Sequence, residues 1–488
     1  MTLNDPFKHI KKGPMLVVML FGAFFSLLNE TLLATALPEI MVHFSIQETQ
    51  VQWLTTAFLL TNGIMIPISA FIIGKFTTRQ IFISSITVFT FGTAVAAFSD
   101  SYTLLLTARI VQAMGSGIMM PLMMTVLLTM FPIDKRGAAM GMMGLVISFA
   151  PAIGPTLSGY LVEYFNWRML FYAVLPIAIL TLILSIFFIS NVTKRTNAKV
   201  DVISILLSSF GFGGLLYGFS SGASRGWTDP LVPICILGGF FIITLFTWRQ
   251  LRLETPLLEF RVFKHKDFTI GVIISAFVII AMISAETLLP MYVQTARELS
   301  AIDSGLMLLP GAIVMGIMSP VSGILFDKFG ARKMGIPGML IVIFTTFYFT
   351  TLSADSSMSM LTTMYTIRMF GLSLGMMPIM THALNQLPQT LNAHGSAMAN
   401  TMQQVSASIG TAILITIMAQ TAKNFTPDPI KYSGLDQVTI ERTIVSDALI
   451  SGYAATFVIA TGMAIVGWIL VFFLKKKDPN AKPQIIAQ

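Results

Sequence analysis

Residues 67–79 read PISAFIIGKFTTR and residues 320–332 read PVSGILFDKFGAR. Each is an apolar run that opens at a proline and closes on a basic turn. Two further pairs keep nearly the same separation. NETLLATALP (29–38) is echoed by AETLLP (285–290), and RIVQAMGSGIMMP (109–121) more loosely by RMFGLSLGMMP (368–378). Apolar helices draw on few residue types, so one such match carries no weight. Three matches in order describe a chain built twice.

Composition says what each copy is made of. Of 488 residues, 55% are apolar and 11% are charged, against about 25% charged in soluble domains. Apolar runs of membrane-crossing length fall near 14–37, 51–73, 80–98, 102–131, 138–161, 169–190, 203–222, 230–248, 268–294, 304–326, 335–353, 359–381, 395–420 and 448–474. The expectation is an all-α membrane protein with fourteen spans. Residues 1–192 and 267–488 would each hold a six-helix bundle, and two additional helices would join them across 193–266. Parallel repeats of this kind suit a transporter that rocks about a site between its halves.

The +8 charge is a topology signal. Lys8, Lys11, Lys12, Lys75, Arg79, Lys135, Arg136, Lys194, Arg195, Lys199, the group Arg249 to Lys266, Lys328, Arg332, Lys333 and the tail from Lys475 to Lys482 occupy the termini and every second loop. The positive-inside rule places both termini in the cytoplasm, which sets aside nucleic acid as a partner. The opposite loops are short except 421–447, an exposed polar segment with Pro427, Asp428, Pro429, Asp436 and Glu441. The single cysteine, Cys235, rules out an internal disulfide.

These landmarks resemble the major facilitator superfamily, and more narrowly its fourteen-helix drug:proton antiporter family. The most specific element is APAIGPTLSG at 150–159, which is similar to that family's G-x-x-x-G-P-x-x-G-G, with Ala150 and Ser158 in place of two glycines. Asn166-Trp167-Arg168, Phe171 and Pro176 look like its sixth-helix opening. The family's usual helix-one Asp is Asn29 here, with Glu30 beside it. Its loop motif G-x-L-A-D-R-x-G-R-K is degraded at Ala70, Gly74 and Thr77 but well kept at Gly323, Leu325, Asp327, Lys328, Gly330, Arg332 and Lys333. The resemblance implies the major facilitator fold, export of drugs, and a role for Arg109 in proton coupling.

Glu30 and Glu286 are the acids placed near the middle of spans. A carboxylate at bilayer centre costs roughly 2.5–3.5 kcal/mol, so such a group tends to hold a proton until a cation displaces it. A neutral Glu gluing two helices is the plainer alternative. Arg109 cannot shed its charge and needs a carboxylate, carbonyls or water; Glu30 is the obvious partner, and snorkelling to the helix end is the alternative. Arg368 holds the matching place in the second half.

Ala150, Gly154 and Ser158 share a helix face that permits close packing, and Pro155 can bend the helix; with Gly159, the resemblance implies a seal against proton leak. Asp327, beside Gly323, Gly330 and Arg332, could latch the halves through a helix start. Polar and aromatic candidates for a substrate cavity are Asn29, Trp53, Asn62, Gln112, Tyr292, Gln294, Asn400, Gln403 and Gln404, with helix glue as the competing role. Thirty-three Met and 38 Phe suit an adaptable wall.

The chain carries no G-x-x-x-x-G-K-[ST] and no H-E-x-x-H or Cys/His cluster, so neither ATP hydrolysis, metal, cofactor nor enzyme activity is expected. The expectation is a proton-coupled antiporter in a bacterial plasma membrane. It would export amphipathic, cationic compounds by alternating access, with bilayer, substrate and protons as its partners and no protein partner required. Rivals are a dedicated exporter of one metabolite, peptide or antibiotic, and an inner-membrane subunit of an extrusion complex docking through 421–447.

Overall fold

Long apolar segments have one stable form in hydrocarbon, the helix, because each backbone N–H and C=O is then paired within its own segment. The computed structural model describes residues 10–33, 36–193, 201–427 and 437–475, and among these there is no strand. The first half comprises α1 (Lys12–Leu32), the short α2 (Leu37–Phe44) and α3 (Glu48–Val51), then α4 (Trp53–Lys75), α5 (Thr78–Ala97), α6 (Tyr102–Met130), α7 (Arg136–Tyr164) and α8 (Met169–Phe188). The pair α9 (Val202–Arg225) and α10 (Leu231–Arg252) follows. The second half comprises α11 (Lys266–Met291), α12 (Ala301–Phe329), α13 (Ala331–Tyr348), α14 (Met358–Asn385), α15 (Asn392–Lys423) and α16 (Gln437–Val471).

Thirteen of the described helices are long and apolar enough to cross a membrane by themselves. The long helix outside that set is α14, whose Met, Gly, Ser and Thr lower its hydropathy. It packs against α11, α12 and α13, and most of its residues from Arg368 to Leu384 are buried. A helix wrapped by others needs less apolar surface than one facing lipid. The lipid-type surface lies elsewhere, at exposed Phe91, Phe187, Phe210, Phe344 and Phe473.

Two boundaries differ from the sequence reading. The first helix stops at Leu32, and α2 and α3 occupy the stretch expected to be its end and a loop. The polar segment 421–447 is helical from Gln437, because a helix can project beyond hydrocarbon on polar residues. Its Asp428, Pro429 and Asp436 lie outside the described residues, as do Lys8, Lys194, Arg195, Lys199 and the tail beyond Lys475.

The inserted pair is positioned by polar contacts at both ends. Asp201 caps α9, accepting from the Ser204 amide (3.2 Å) and hydroxyl (2.6 Å), and pairs with Arg249 of α10 at 3.0 Å. Burial pushes this carboxyl up, but the Ser204 hydrogen bonds and Arg249 outweigh it and hold it below its ordinary value. α9 packs on both α4 and α15, one helix from each half. Trp53 stacks on Tyr217 with centroids 5.6 Å apart, and Trp227 Nε1 donates to Thr416 Oγ1 at 2.7 Å.

The halves also meet along α7 and α12. At the end bearing Lys75, Lys135 and Lys328, the Asp327 carboxylate accepts from the backbone N–H groups of Gly137 (2.8 Å) and Ala138 (2.9 Å). Arg136 Nη1 donates to Asn385 Oδ1 at 2.9 Å beside it. At this basic end, residues 66–70 of α4 and 395–401 of α15 are buried. Further along, residues 59–61 and 402–409 are half-buried. The halves are therefore closed at the basic end and more open away from it.

Candidate functional site

Arg109, on α6, is fully buried, so it does not snorkel. Its Nη1 donates to the Asn29 side chain, to the Asn29 carbonyl (3.3 Å) and to Gln112 Oε1 (3.0 Å). Its Nε donates to the Leu54 carbonyl at 3.4 Å. Gln112 is fixed in turn by donating Nε2 to Thr93 Oγ1 at 2.9 Å. Phe58 lies under the guanidinium, 4.1 Å from ring centroid to Cζ. Asn29 and Gln112, expected to line a substrate cavity, thus hold the arginine.

Glu30 follows Asn29 and acts electrostatically on Arg109. It is half-buried and lies in the last turn of α1, nearer the non-basic face than a helix over 14–37 would put it. That face is the open side of the molecule.

The second half repeats the centre with different parts. Arg368 on α14 is also fully buried. It donates to the Ala281 carbonyl, to Ser284 Oγ (3.3 Å) and to Thr346 Oγ1 (3.3 Å). Half-buried Glu286 and buried Tyr365 act on it electrostatically. Ser284, Thr346 and Tyr365 escaped the sequence reading, as did Phe58 and Thr93. The repeat offset and the one-turn spacing of Tyr365 from Arg368 were the signals for them.

The remaining candidates separate by place. Trp53, Gln403 and Gln404 are half-buried on the open side. Asn400, one turn nearer the basic end, is buried, bonding the Ser396 carbonyl at 2.8 Å and reaching Met124 Sδ of the first half at 3.6 Å. It belongs to the closed seam. Asn62 is packed between α4 and α6, where a side chain at Gly117 would meet its Oδ1 at 2.8 Å. Tyr292 and Gln294 sit in a π-helical turn, Tyr292–Ala296, at the far end of α11. Tyr292 is fully buried, its hydroxyl bonded to the Ser353 carbonyl, and Gln294 is exposed. Neither joins the two centres.

The small-residue stripe of α7 meets α1 of its own half, which corrects the expectation of a seal between halves. Gly154 lies against Thr31, Ser158 donates to the Leu32 carbonyl, and Ala150 is fully buried. The face toward the other half is a different one, where Gly137 and Gly141 touch Gly323 and Ser319. A side chain at Gly159 would meet nothing within 4 Å, so this glycine is not a packing residue. The side chain of Pro155 lies outside the described residues.

Gly330 has φ +80°, a conformation that favours glycine, and it turns the chain between α12 and α13. Arg332 lies over Phe472 at 6.0 Å within its own half rather than in the latch. The degraded first copy of the loop makes no matching latch: Thr77 caps α5, and Arg79 donates to the Ile186 carbonyl at 2.7 Å.

The model of the Major Facilitator Superfamily matches residues 19–411. The chain belongs to the major facilitator superfamily. It is 48% identical over 98% of both chains to an uncharacterized transporter of this superfamily, YcnB of Bacillus subtilis. It is 41% identical to the lincomycin resistance protein LmrB of the same organism, over 96% of this chain and 97% of that one. The structure of the human organic anion transporter MFSD10 superposes with a TM-score of 0.65 over 94% of this chain and 99% of that one, at 13% identity, a likeness of fold alone. This facilitator is thus a multi-span membrane transporter whose relatives include a drug-resistance protein, and its buried arginines are part of that architecture.

Proposed function

We propose that this chain is a proton-coupled antiporter that exports amphipathic, cationic drugs or toxic compounds across a bacterial plasma membrane. The observation that carries this reading is the pair of half-buried carboxyls, Glu30 and Glu286, each acted on by a fully buried arginine. Kinship with a lincomycin resistance protein supports a drug as cargo. A carboxyl of this kind can hold a proton or a cation but not both, which makes the two fluxes mutually exclusive.

The units that move are residues 1–192 and 267–488, with 193–266 bridging them. With the basic end in the cytoplasm, the described state faces outward. The Asp327 latch holds it closed on the inside, while Glu30 and Glu286 take up protons from the open side. Substrate reaching the acids from the cytoplasm requires the latch to part, and Gln403, Gln404 and Trp53 would line its path.

The test is accumulation of lincomycin and of unrelated lipophilic cations in cells expressing the chain. Lower accumulation that a protonophore abolishes is the expected result. Unchanged accumulation across the panel would remove the drug reading.

A further inference from the structure

The repeat allows the two buried arginine centres to be compared position by position. Aligning Arg79 with Arg332 places Thr93 opposite Thr346, and aligning Arg109 with Arg368 places Gln112 opposite Gly371. In the first half Thr93 reaches the guanidinium through Gln112. In the second half position 371 has no side chain, and Thr346 accepts directly from Arg368 Nε at 3.3 Å.

A second exchange concerns the aromatic ring. Aligning Pro67 with Pro320 places Phe58 opposite Gly311. Phe58 supplies the ring beneath Arg109. A Cβ at Gly311 would lie 2.5 Å from Tyr365 Cδ1, so the missing side chain makes room for a ring that arrives from α14 instead. The replacement is a tyrosine. The second centre therefore holds an ionisable hydroxyl where the first holds only hydrocarbon.

Each guanidinium leaves one terminal nitrogen, Arg109 Nη2 and Arg368 Nη1, with no hydrogen-bond partner among the described residues. A buried orphan donor costs about 1–3 kcal/mol, a cost that persists only where another state relieves it or nothing else fits. In both halves the acid acting on that arginine is the half-buried glutamate. Arg368 and Tyr365 are the ionisable groups that interact with Glu286; α15 and α16, also packed on α11, bring it none among the described residues.

We propose that Glu286, Arg368 and Tyr365 form a second proton-exchange centre, so that each transport cycle carries two protons, one per half. Glu286 is the proton carrier. When it loses its proton, the free Arg368 nitrogen is the donor available to the carboxylate. Tyr365 acts as a positioning residue, fixing the guanidinium from its own helix and offering its hydroxyl to the same carboxyl. This inference rests on the proton-exchange reading above.

Its test is infrared difference spectroscopy of the purified protein in liposomes, following the carboxylic C=O stretch during a pH titration. Subtracting each Gln variant from wild type isolates one carboxyl. The expected result is a distinct titrating band in both subtractions, Glu30→Gln and Glu286→Gln, of roughly equal area. Tyr365→Phe and Arg368→Lys should move the midpoint of the Glu286 band by about one pH unit and leave that of Glu30 in place. Should Arg368→Lys fail to fold, Tyr365→Phe alone carries this arm. A band for Glu30 with none for Glu286 overturns the second centre and leaves single-proton exchange standing. So does a Glu286 band whose midpoint ignores Tyr365→Phe. No band in either subtraction removes the proton-exchange reading itself.

Discussion

Asp327 of the second half accepts a hydrogen bond from the Gly137 amide of the first, at 2.8 Å. The adjacent Ala138 amide completes the contact at 2.9 Å. A carboxylate on the first amides of a helix meets both unsatisfied donors and the positive end of the helix dipole. Asp327→Ala should cost the closed basic end about 1–2 kcal/mol. The population open at that end should rise roughly 5- to 30-fold. Thiol labelling of Asn400→Cys from the basic side, in a Cys235→Ser background, checks this. Unchanged labelling would deny the contact a latching role.

The α7–α12 seam makes a second prediction by contrast. A Cβ at Gly323 would run into the Gly137 carbonyl, whereas one at Gly159 meets nothing. Gly323→Ala should therefore force the seam apart and lower stability by about 1–3 kcal/mol. Gly159→Ala should be neutral or slightly stabilising, by up to about 1 kcal/mol. Thermal unfolding in detergent separates the two outcomes.

Arg109 serves acceptors on three helices, α1, α4 and α6. Arg109→Leu strands buried acceptors at about 1–3 kcal/mol each, and Arg109→Lys keeps the charge without the planar fork that reaches them together. Melting should fall in both, less in the lysine variant, and drug export should fall in both. Export at the wild-type level by Arg109→Leu would reduce the residue to packing.

Asp201 sets a pH dependence outside the hydrocarbon. Ser204 and Arg249 hold its folded carboxyl below the ordinary value, so protons bind the unfolded form more readily. The stability it supplies is present above the unfolded carboxylate's value and is lost as pH falls through the lowered folded one. Asp201→Asn should lower stability by about 1 kcal/mol at neutral pH and flatten the acid limb of a melting-temperature profile. An unaltered profile would mean that the cap does not anchor α9 to α10.

How far the sequence could be read follows from what kind of atom does each job. The spans were legible because hydrocarbon demands long apolar helices, and the basic loops because charge resists crossing. α14 was legible as a span although less apolar than its neighbours. Glu30, Glu286 and Arg109 stood out because ionisable side chains are costly in membranes. Much of what holds the arginines did not stand out: the Leu54, Asn29 and Ala281 acceptors are backbone carbonyls, present at every residue. The role of a polar residue depends on helix rotation and depth. One turn separates Asn400 in the closed seam from Gln404 on the open side, and both look alike in sequence. The stripe at Ala150, Gly154 and Ser158 was legible as a packing face, but nothing in it told whether α1 or the other half would fill it.

The most direct measurement of the central claim is proton flux in inside-out vesicles holding an acid interior, with lincomycin and several lipophilic cations added in turn. The account predicts that several of these compounds dissipate the gradient, and that vesicles carrying Glu30→Gln, with the protein present at the same level, do not respond. Dissipation that persists undiminished in Glu30→Gln vesicles would contradict it.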